Sequence, residues 1–463
     1  MYKTKSKRPT HFDFDLIIIG SGAGGGVAAH IAAGRGKKVA IIEADTIGGE
    51  CPNYGCVPTK ALLQAAEAYQ SAKNAGRFGI KATSVTFNYS AVNAWRQTAV
   101  FNTGVEDGRE AYKSDGITVL HGHSHFLSAW QISLSDKRYT ARNFLIATGT
   151  RNVVPPIEGL KETGFITYRE AITLKSPPES IFIIGGGAIG CEFAQLFWSF
   201  DSKVHIADFD KRLLAREDAE VGDLVGALFE ERGIGVHVNS KIISVSGGKG
   251  SKTVTMETDG RRHSVVVEEI LLAAGKAPNL DLGLDNAGVK YDRRGLKVDL
   301  HMRTSVKHIY AAGDVVGPFM FTHMAAYQSR IAAHNMYQNK KVSANYHAVP
   351  RCTFINPEVA SVGPSEQELR DRGVKLQVGT AEISIIGRSN TSNESTGFVK
   401  VITSHTGVLL GASIVSPRAG EMIHELTLAI HKGLKARDIV ETIHAFPTWS
   451  EAVRVACTRI RNY

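Results

Sequence analysis

Asp15-Leu16-Ile17-Ile18-Ile19-Gly20-Ser21-Gly22-Ala23-Gly24-Gly25 decides the fold. The stretch from Asp15 to Ile19 reads as a buried strand, and the glycines follow at once, running into a helical segment from Val27 to Ala33. In that context G-x-G-x-x-G is a dinucleotide-binding turn. Gly20 permits the tight turn, Gly22 lets the backbone approach a pyrophosphate, Gly25 allows close helix packing, and the helix N-terminus faces the anion. A second strand, Lys38 to Ile42, then ends in Glu43, placed to accept hydrogen bonds from a ribose diol.

The pattern recurs. Ser180 to Ile184 reads as a strand, Gly185-Gly186-Gly187-Ala188-Ile189-Gly190 as the turn, and Lys203 to Ala207 as a second strand ending in Asp208. Two dinucleotides are therefore expected. A carboxylate at Asp208 accepts from a free 2′-hydroxyl and repels a 2′-phosphate, which favours NADH. Lys211, Arg212 and Arg216 just downstream argue for NADPH if they fold back over a phosphate, and otherwise read as a solvated basic helix start.

Between the two fingerprints lies Gly48-Gly49-Glu50-Cys51-Pro52-Asn53-Tyr54-Gly55-Cys56-Val57-Pro58-Thr59-Lys60, with two thiols in a C-x4-C spacing. On a regular helix the Cα atoms of residues i and i+5 lie about 8 to 9 Å apart, beyond the roughly 7 Å limit for a bridge. Cys51 is thus expected in a loop or a distorted first turn, with Gly55 easing the bend. A strained, accessible bridge is readily reduced, and a thiolate at a helix N-terminus is stabilised by the macrodipole. The pair points to electron transfer through a disulfide. A dithiol and a nicotinamide both exchange two electrons, and a flavin between them is the natural converter, so one site is expected to hold FAD and the other a nicotinamide nucleotide.

The rest of the composition sets bounds. A length of 463 residues suggests about three domains, and 43% hydrophobic content is enough for real cores. No apolar run reaches the roughly 18 residues of a membrane span, and no charged-then-apolar leader precedes a small-residue cleavage site. A cytoplasmic protein without membrane partners is expected. The five cysteines are sparse, and Cys191, Cys352 and Cys457 are scattered, which fits a reducing compartment. The net charge of +9 is dispersed except for an arm of Lys3, Lys5, Lys7 and Arg8, read as a solvated tail, so no nucleic-acid partner is expected. His121, His123 and His125 alternate and would share one face of a strand, but no carboxylate or thiol is suitably spaced nearby. They read as an ordinary strand, and no metal site is expected.

Taken together, the sequence resembles the class I pyridine nucleotide-disulfide oxidoreductases, the family of dihydrolipoamide dehydrogenase, glutathione reductase and mercuric reductase. The likeness covers nearly the full length. It rests on the first fingerprint, C-x4-C, Ala147-Thr148-Gly149, Ala274-Gly275-Lys276-Ala277-Pro278-Asn279, Ala312-Gly313-Asp314-Val315 and Pro350-Arg351-Cys352-Thr353-Phe354, all in the family's order. The resemblance implies an α/β fold with two Rossmann-like dinucleotide-binding domains and a C-terminal α+β dimerisation domain. The FAD domain would comprise residues 1–155 and 275–345, the NAD(P) domain 156–274, and the interface domain 346–463, in a homodimer. It also implies that Gly49, Thr148, Gly149, Asp314 and the stretch Met320, Phe321, Thr322, His323 join Gly20, Gly22, Gly25 and Glu43 at the FAD. Gly185, Gly187, Gly190, Glu192, Asp208 and Gly275 would serve the nicotinamide nucleotide. Lys60 would lie near the flavin with Glu192 near Lys60, since a cation beside a reduced flavin and a thiolate stabilises both charges. Cys56 would face the flavin and Cys51 exchange with substrate, so that electrons pass from NADH through FAD and the Cys51–Cys56 pair to an acceptor.

One departure matters. Members acting on dithiols carry a histidine directly before Pro-Thr, with a Glu further on, donated across the dimer interface as acid/base. Here the run is His444-Ala445-Phe446-Pro447-Thr448-Trp449-Ser450-Glu451, and phenylalanine stands in the histidine's place while Pro447, Thr448 and Glu451 keep their spacing. Positioned acid/base catalysis contributes typically about 10²- to 10⁴-fold, so exchange with a dithiol should be slow. His444 is the candidate substitute, and Glu451, a catalytic candidate that lacks its usual partner here, reads equally as a helix-start charge. Mercuric reductases also lack this histidine but usually end in a vicinal cysteine pair, whereas this chain has Cys457 alone, expected in a helix core. Three readings follow. The first is an oxidoreductase passing electrons to a metal ion, a quinone or a self-activating disulfide. The second is a dihydrolipoamide dehydrogenase using His444, and the third a low-turnover redox sensor or scaffold.

Overall fold

The computed structural model describes residues 8–105 and 108–461, so Lys3, Lys5 and Lys7 of the basic arm lie outside the described residues. The chain divides into two compact units. One comprises the residues up to Thr59 with Ala94–Val153 and Lys276–Asn345, and the other Lys60–Asn93, Val154–Gly275 and the residues from Tyr346 onward.

The first unit is built on strand Phe14–Ile19, flanked in parallel by Val39–Glu43 and Lys137–Ile146, with Thr118–His121 and Ile309–Ala311 beyond them. Leu16, Ile17 and Ile18 are fully buried, as expected for a strand covered on both faces. Each such side chain contributes about 1.5–3 kcal/mol of transfer free energy. Helix Ala23–Ala33 presents the small residues Ala28, Ala29 and Ala32 inward, which lets helix Thr322–Tyr337 lie close against it. Ser329 Oγ accepts from Ala28 N at 3.0 Å across that contact. Strand Lys137–Ile146 outruns the parallel sheet, and its first half pairs antiparallel with Gln131–Leu134, which pairs in turn with Ser124–Ser128.

This arrangement corrects the single strand read through the three histidines. Thr118–His121 ends at Gly122, whose φ of +133° turns the chain, and Ser124–Ser128 begins a different strand, so His121 and His125 share no face. Among the described residues no group of three or more His, Cys, Asp or Glu side chains is placed to hold a metal ion. Among them, too, no helix is long and apolar enough to cross a membrane.

In the second unit, strands Gly235–His237, Lys203–Ala207, Ser180–Ile184 and Glu269–Leu272 form a parallel sheet, accompanied by the meander Ser240–Gly248, Ser251–Thr258, Arg261–Val267. Beyond Tyr346 the architecture changes to an antiparallel sheet in the order Pro350–Thr353, Glu358–Val362, Leu409–Ser416, Phe398–Ser404, Leu376–Glu382. Helices Ala419–Lys432 and Glu451–Thr458 cover it, and Ile423, Leu426, Val453 and Ala456 share one core with Val399 and Val401. Cys457 belongs to this core, fully buried, and burial first and Glu425 second push its thiol up to about 12.

Candidate functional site

In the first unit the turn after Phe14–Ile19 is shaped by what it cannot hold. Gly20 has φ of +104°, and a Cβ on Gly25 would overlap Gly20 O. Glu43, at the end of the second strand, accepts from Ser21 N at 2.9 Å and Ser21 Oγ at 2.6 Å through one oxygen, and from Ala44 N and Asp45 N at 2.9 Å through the other. Ser21 Oγ also accepts from Gly48 N at 3.0 Å, tying the thiol-bearing segment to the fingerprint. Gly22 and Gly49 face each other backbone to backbone: a Cβ on Gly49 would lie 2.7 Å from Gly22 Cα. The result is a cradle without side chains at the N-terminus of Ala23–Ala33, which fits a pyrophosphate.

The other expected residues of this unit are held by their own contacts. Thr148 Oγ1 donates to Asn279 O at 2.9 Å and Asn279 Nδ2 returns a bond to Thr148 O at 2.8 Å, while Asn279 N donates to Gly149 O at 3.0 Å. Asp314 follows Gly313, whose N–H donates to Gln328 Oε1 at 2.8 Å. Burial raises the Asp314 carboxyl, and Lys276 opposes it. In the run Met320 to His323 the rings of Phe321 and His323 stack at 5.2 Å, and Thr322 opens helix Thr322–Tyr337.

The thiols sit where helix geometry demanded a break. Cys51 lies in the short helix Glu50–Asn53; Tyr54 and Gly55 interrupt it, both N–H groups donating to Glu50 O, and Cys56 begins helix Cys56–Lys73. Both are thiols here, Cys56 exposed and Cys51 half-buried. Cys56 Sγ lies 3.4 Å from Thr322 Oγ1. The Cys51 thiol is pushed well above its ordinary value, first by its hydrogen bond with Cys56 and then by burial. Such mutual contact is what a dithiol must have to close into a disulfide by losing two electrons and two protons.

Four residues on from Cys56 in the same helix, Lys60 belongs to the second unit, where its Nζ donates to Glu192 Oε2 at 2.7 Å. The Glu192 side chain is 6% exposed, and its other oxygen accepts from Phe354 N at 3.0 Å, while the Phe354 ring sits 4.8 Å from the ammonium. Lys60 is thereby fixed by a carboxylate and an aromatic face. In the same unit Cys352 is held protonated, burial first and Glu358 next raising its thiol.

The second fingerprint repeats the first in the same unit. A Cβ on Gly190 would overlap Gly185 O, nothing lies within 4 Å of one on Gly187, and Gly275 has φ of +107°. Asp208 accepts from Gly186 N at 2.5 Å and from Asp210 N at 2.8 Å. Of the three downstream cations, Arg212 is engaged by Asp223 at 2.6 Å. An acid bonded to the turn and an open Gly187 fit a second dinucleotide.

The C-terminal run separates its candidates. The His444 side chain is 6% exposed, with Nε2 at 2.9 Å from Glu425 Oε1 and Nδ1 at 2.9 Å from Thr442 O, so both ring nitrogens are occupied within the chain. Phe446 is 76% exposed, its ring resting near Gly387. Glu451 opens helix Glu451–Thr458 and accepts a long bond of 3.4 Å from Thr448 N.

Sequence reasoning missed Tyr112, which donates to Ser21 O at 3.3 Å and whose phenol is pushed up to about 12 by burial and Glu43. It missed the Phe354 contact with Lys60 as well. Neither carries a local motif, although Phe354 closes the Pro350–Phe354 run that carries part of the resemblance.

Comparison with known proteins places these features. The model for "Pyridine nucleotide-disulphide oxidoreductase" matches residues 14–329, and that for the same group's dimerisation domain matches residues 349–457. The chain is 34% identical to a dihydrolipoyl dehydrogenase of Geobacillus stearothermophilus, covering 94% of each. It is 35% identical to a mercuric reductase of Streptomyces lividans, covering 96% of each. The HOCl-induced flavoprotein disulfide reductase RclA of Escherichia coli, solved as the Cu(II) complex of a cysteine-to-serine mutant, superposes with a TM-score of 0.86 at 27% identity, over 97% of this chain and 99% of the other. The chain belongs to the pyridine nucleotide-disulphide oxidoreductases, enzymes that use FAD and NAD(P)H, and carries that family's dimerisation domain.

Proposed function

We propose that this enzyme takes electrons from NADH and delivers them through Cys51 and Cys56 to an acceptor that asks for no proton from the protein. A thiolate-bound metal ion fits that description best, and a quinone or a self-activating disulfide fits it next. The observation that carries the reading is Phe446: the frame Pro447, Thr448, Glu451 is kept, the thiols and the Lys60–Glu192 pair are intact, and the one side chain that would shuttle a proton is apolar. Within the chain His444 has both ring nitrogens engaged, by Glu425 and Thr442, which supports this reading over one that uses His444 as acid/base. Two relatives are named for metals, one as a mercuric reductase and one as a Cu(II) complex, which favours the metal ion among the acceptors.

Bound FAD would supply the conversion between hydride and dithiol chemistry. In this reading residues 1–155 and 275–345 bind it. Gly20, Gly22, Gly25 and Gly49 admit its pyrophosphate, Glu43 its ribose, and Asp314 its ribityl chain. Thr148, Gly149 and the run Met320 to His323 line the remainder. Residues 156–274 bind the nicotinamide nucleotide, with Gly185, Gly187 and Gly190 at the phosphates, Asp208 at the free ribose and Gly275 alongside, in a homodimer joined through residues 346–463. Lys60, fixed by Glu192, would supply the positive charge that the resemblance assigns to it, Cys56 would face the flavin, and Cys51 would meet the acceptor. Closing the Cys51–Cys56 bond sends two electrons to the acceptor and two protons to solvent.

The test is anaerobic reduction of the FAD-loaded protein with NADH, watching for thiolate-to-flavin charge-transfer absorbance, followed by addition of candidate acceptors. Cys51→Ser should keep reduction by NADH and lose turnover. Rapid turnover of wild-type protein with dihydrolipoamide and NAD would sink the reading, and unimpaired acceptor turnover in Cys51→Ser would move the chemistry from the thiols to the flavin.

A further inference from the structure

The segment that follows Asp208 is pinned at both ends. At one end Leu214 N donates to Gly186 O at 2.8 Å, seating the loop on the second fingerprint. At the other, Glu217 is gripped by Arg351, whose Nε and Nη2 reach its two oxygens at 2.7 and 3.0 Å, and Ser361 Oγ donates to the same carboxylate. Asp218, only 4% exposed, accepts from Glu366 N at 2.9 Å and from Ser413 Oγ at 2.7 Å. Lys400, 3% exposed in the middle of strand Phe398–Ser404, completes the cluster, its Nζ lying 2.7 Å from Glu366, 2.9 Å from Glu220 and 3.5 Å from Asp218. Both cations come from the antiparallel sheet of the dimerisation domain.

Two features make this more than attachment. Leu214 and Glu217 are three positions apart, a span of at most about 10 Å, and Glu217 N bonds back to Leu214 O at 2.8 Å, so the strap has no slack. Leu214 itself holds φ of +50° while buried, a left-handed conformation that a branched side chain keeps only where its surroundings over-determine it. An apolar contact would join the two sheets at lower desolvation cost, whereas directional ion pairs fix register.

We propose that Arg351 and Lys400 are positioning residues for the nicotinamide nucleotide: acting through Glu217 and Asp218 they hold the Asp208–Arg216 loop on the second fingerprint, and so set nucleotide affinity and the preference for NADH over NADPH. This rests on assigning the second fingerprint to that nucleotide. The test uses the FAD-loaded full chain with Ser361→Ala and Ser413→Ala, which each remove one hydrogen bond without stranding a charge, and with Lys400→Arg beside Lys400→Gln. NAD⁺ affinity is read by calorimetry, and the apparent Kd and limiting rate for flavin reduction by NADH and NADPH by stopped flow.

Each serine variant should weaken NAD⁺ and NADH binding on the order of 3- to 10-fold, the worth of one net hydrogen bond, with the limiting rate within about twofold and the NADH/NADPH preference reduced. Lys400→Arg should retain affinity that Lys400→Gln loses. Lower thermal stability with unchanged nucleotide affinity in the serine variants would reduce the cluster to domain glue and overturn the proposal. Unchanged NADH affinity in Asp208→Ala would instead overturn the nucleotide assignment beneath it.

Discussion

Replacing Phe446 by histidine should raise turnover with dihydrolipoamide. In the single chain the side chain is 76% exposed, so the exchange should alter the stability of the protomer by less than about 0.5 kcal/mol. Evolved acid/base groups contribute about 10²- to 10⁴-fold. A grafted imidazole should recover the lower part of that range, about 10- to 100-fold, or roughly 1.4 to 2.7 kcal/mol of barrier. The lower part is expected because a grafted ring lacks the surrounding contacts that position an evolved acid/base group. Glu451 can assist, since its bond from Thr448 N is 3.4 Å long and easily given up. The assay is NAD⁺ reduction by dihydrolipoamide across the neutral to mildly alkaline range in wild type, Phe446→His and Phe446→His/Glu451→Gln, at matched flavin content. The double variant should lose part of the gain. If Phe446→His is no faster than wild type while NADH still produces the thiolate charge-transfer band, position 446 does not limit dithiol exchange and the reasoning from Phe446 fails.

Other perturbations test other contacts. Glu192→Ala removes the buried partner of Lys60 and should cost about 1–3 kcal/mol, below the 3–5 kcal/mol of a fully buried pair because Lys60 is one-third exposed, and should slow flavin-to-thiol transfer in stopped flow. Glu425→Ala should destabilise the C-terminal domain by about 1–2 kcal/mol in denaturant melts yet leave turnover with the proposed metal-ion acceptor intact; parallel loss of turnover would support His444 as a catalytic group. Burial first, then the His205 and His263 imidazoles, push His237 down to about 4. A histidine so lowered in the folded state contributes stability above its unfolded pKa near 6.5 and loses it as pH falls toward 4. Thermal melts should therefore show a decline across that window on the order of 2 kcal/mol, allowing for partial exposure, and His237→Asn should flatten it.

What was legible in the sequence was whatever physics writes locally. Leu16, Ile17 and Ile18 form a run only a doubly covered strand can bury, and Gly20 and Gly25 stand where a side chain would strike backbone. The C-x4-C spacing forbade a regular helix, and the chain breaks at Tyr54 and Gly55. The rest lies in contacts between residues far apart in sequence. Nothing around Tyr112 marks it as a partner of Ser21, 91 residues away. Lys400 looks like one more dispersed cation until the strand buries it among three carboxylates. The alternation His121, His123, His125 misled because period two was read through Gly122, where the chain turns.

His444 shows why the loss at Phe446 has no simple repair. Moving a proton from position 444 would require breaking two bonds that a 6%-exposed imidazole has no water to replace, so each would be lost at close to its full desolvation cost, about 1–3 kcal/mol. Rotating the ring outward would also leave Glu425 without its partner. That penalty consumes most of what acid/base catalysis could return in an unshaped geometry. The candidate electron-receiving residues, by contrast, keep their partners, each within its own unit: Lys60 with Glu192 and Glu192 with Phe354 N in one, and Cys56 with Thr322 in the other. Under the function proposed above, a chain that keeps those contacts with a phenyl ring at position 446 would serve acceptors whose reduction draws protons, if any, from water. Its rate with such acceptors should then follow thiolate formation at Cys51 and not the titration of an imidazole.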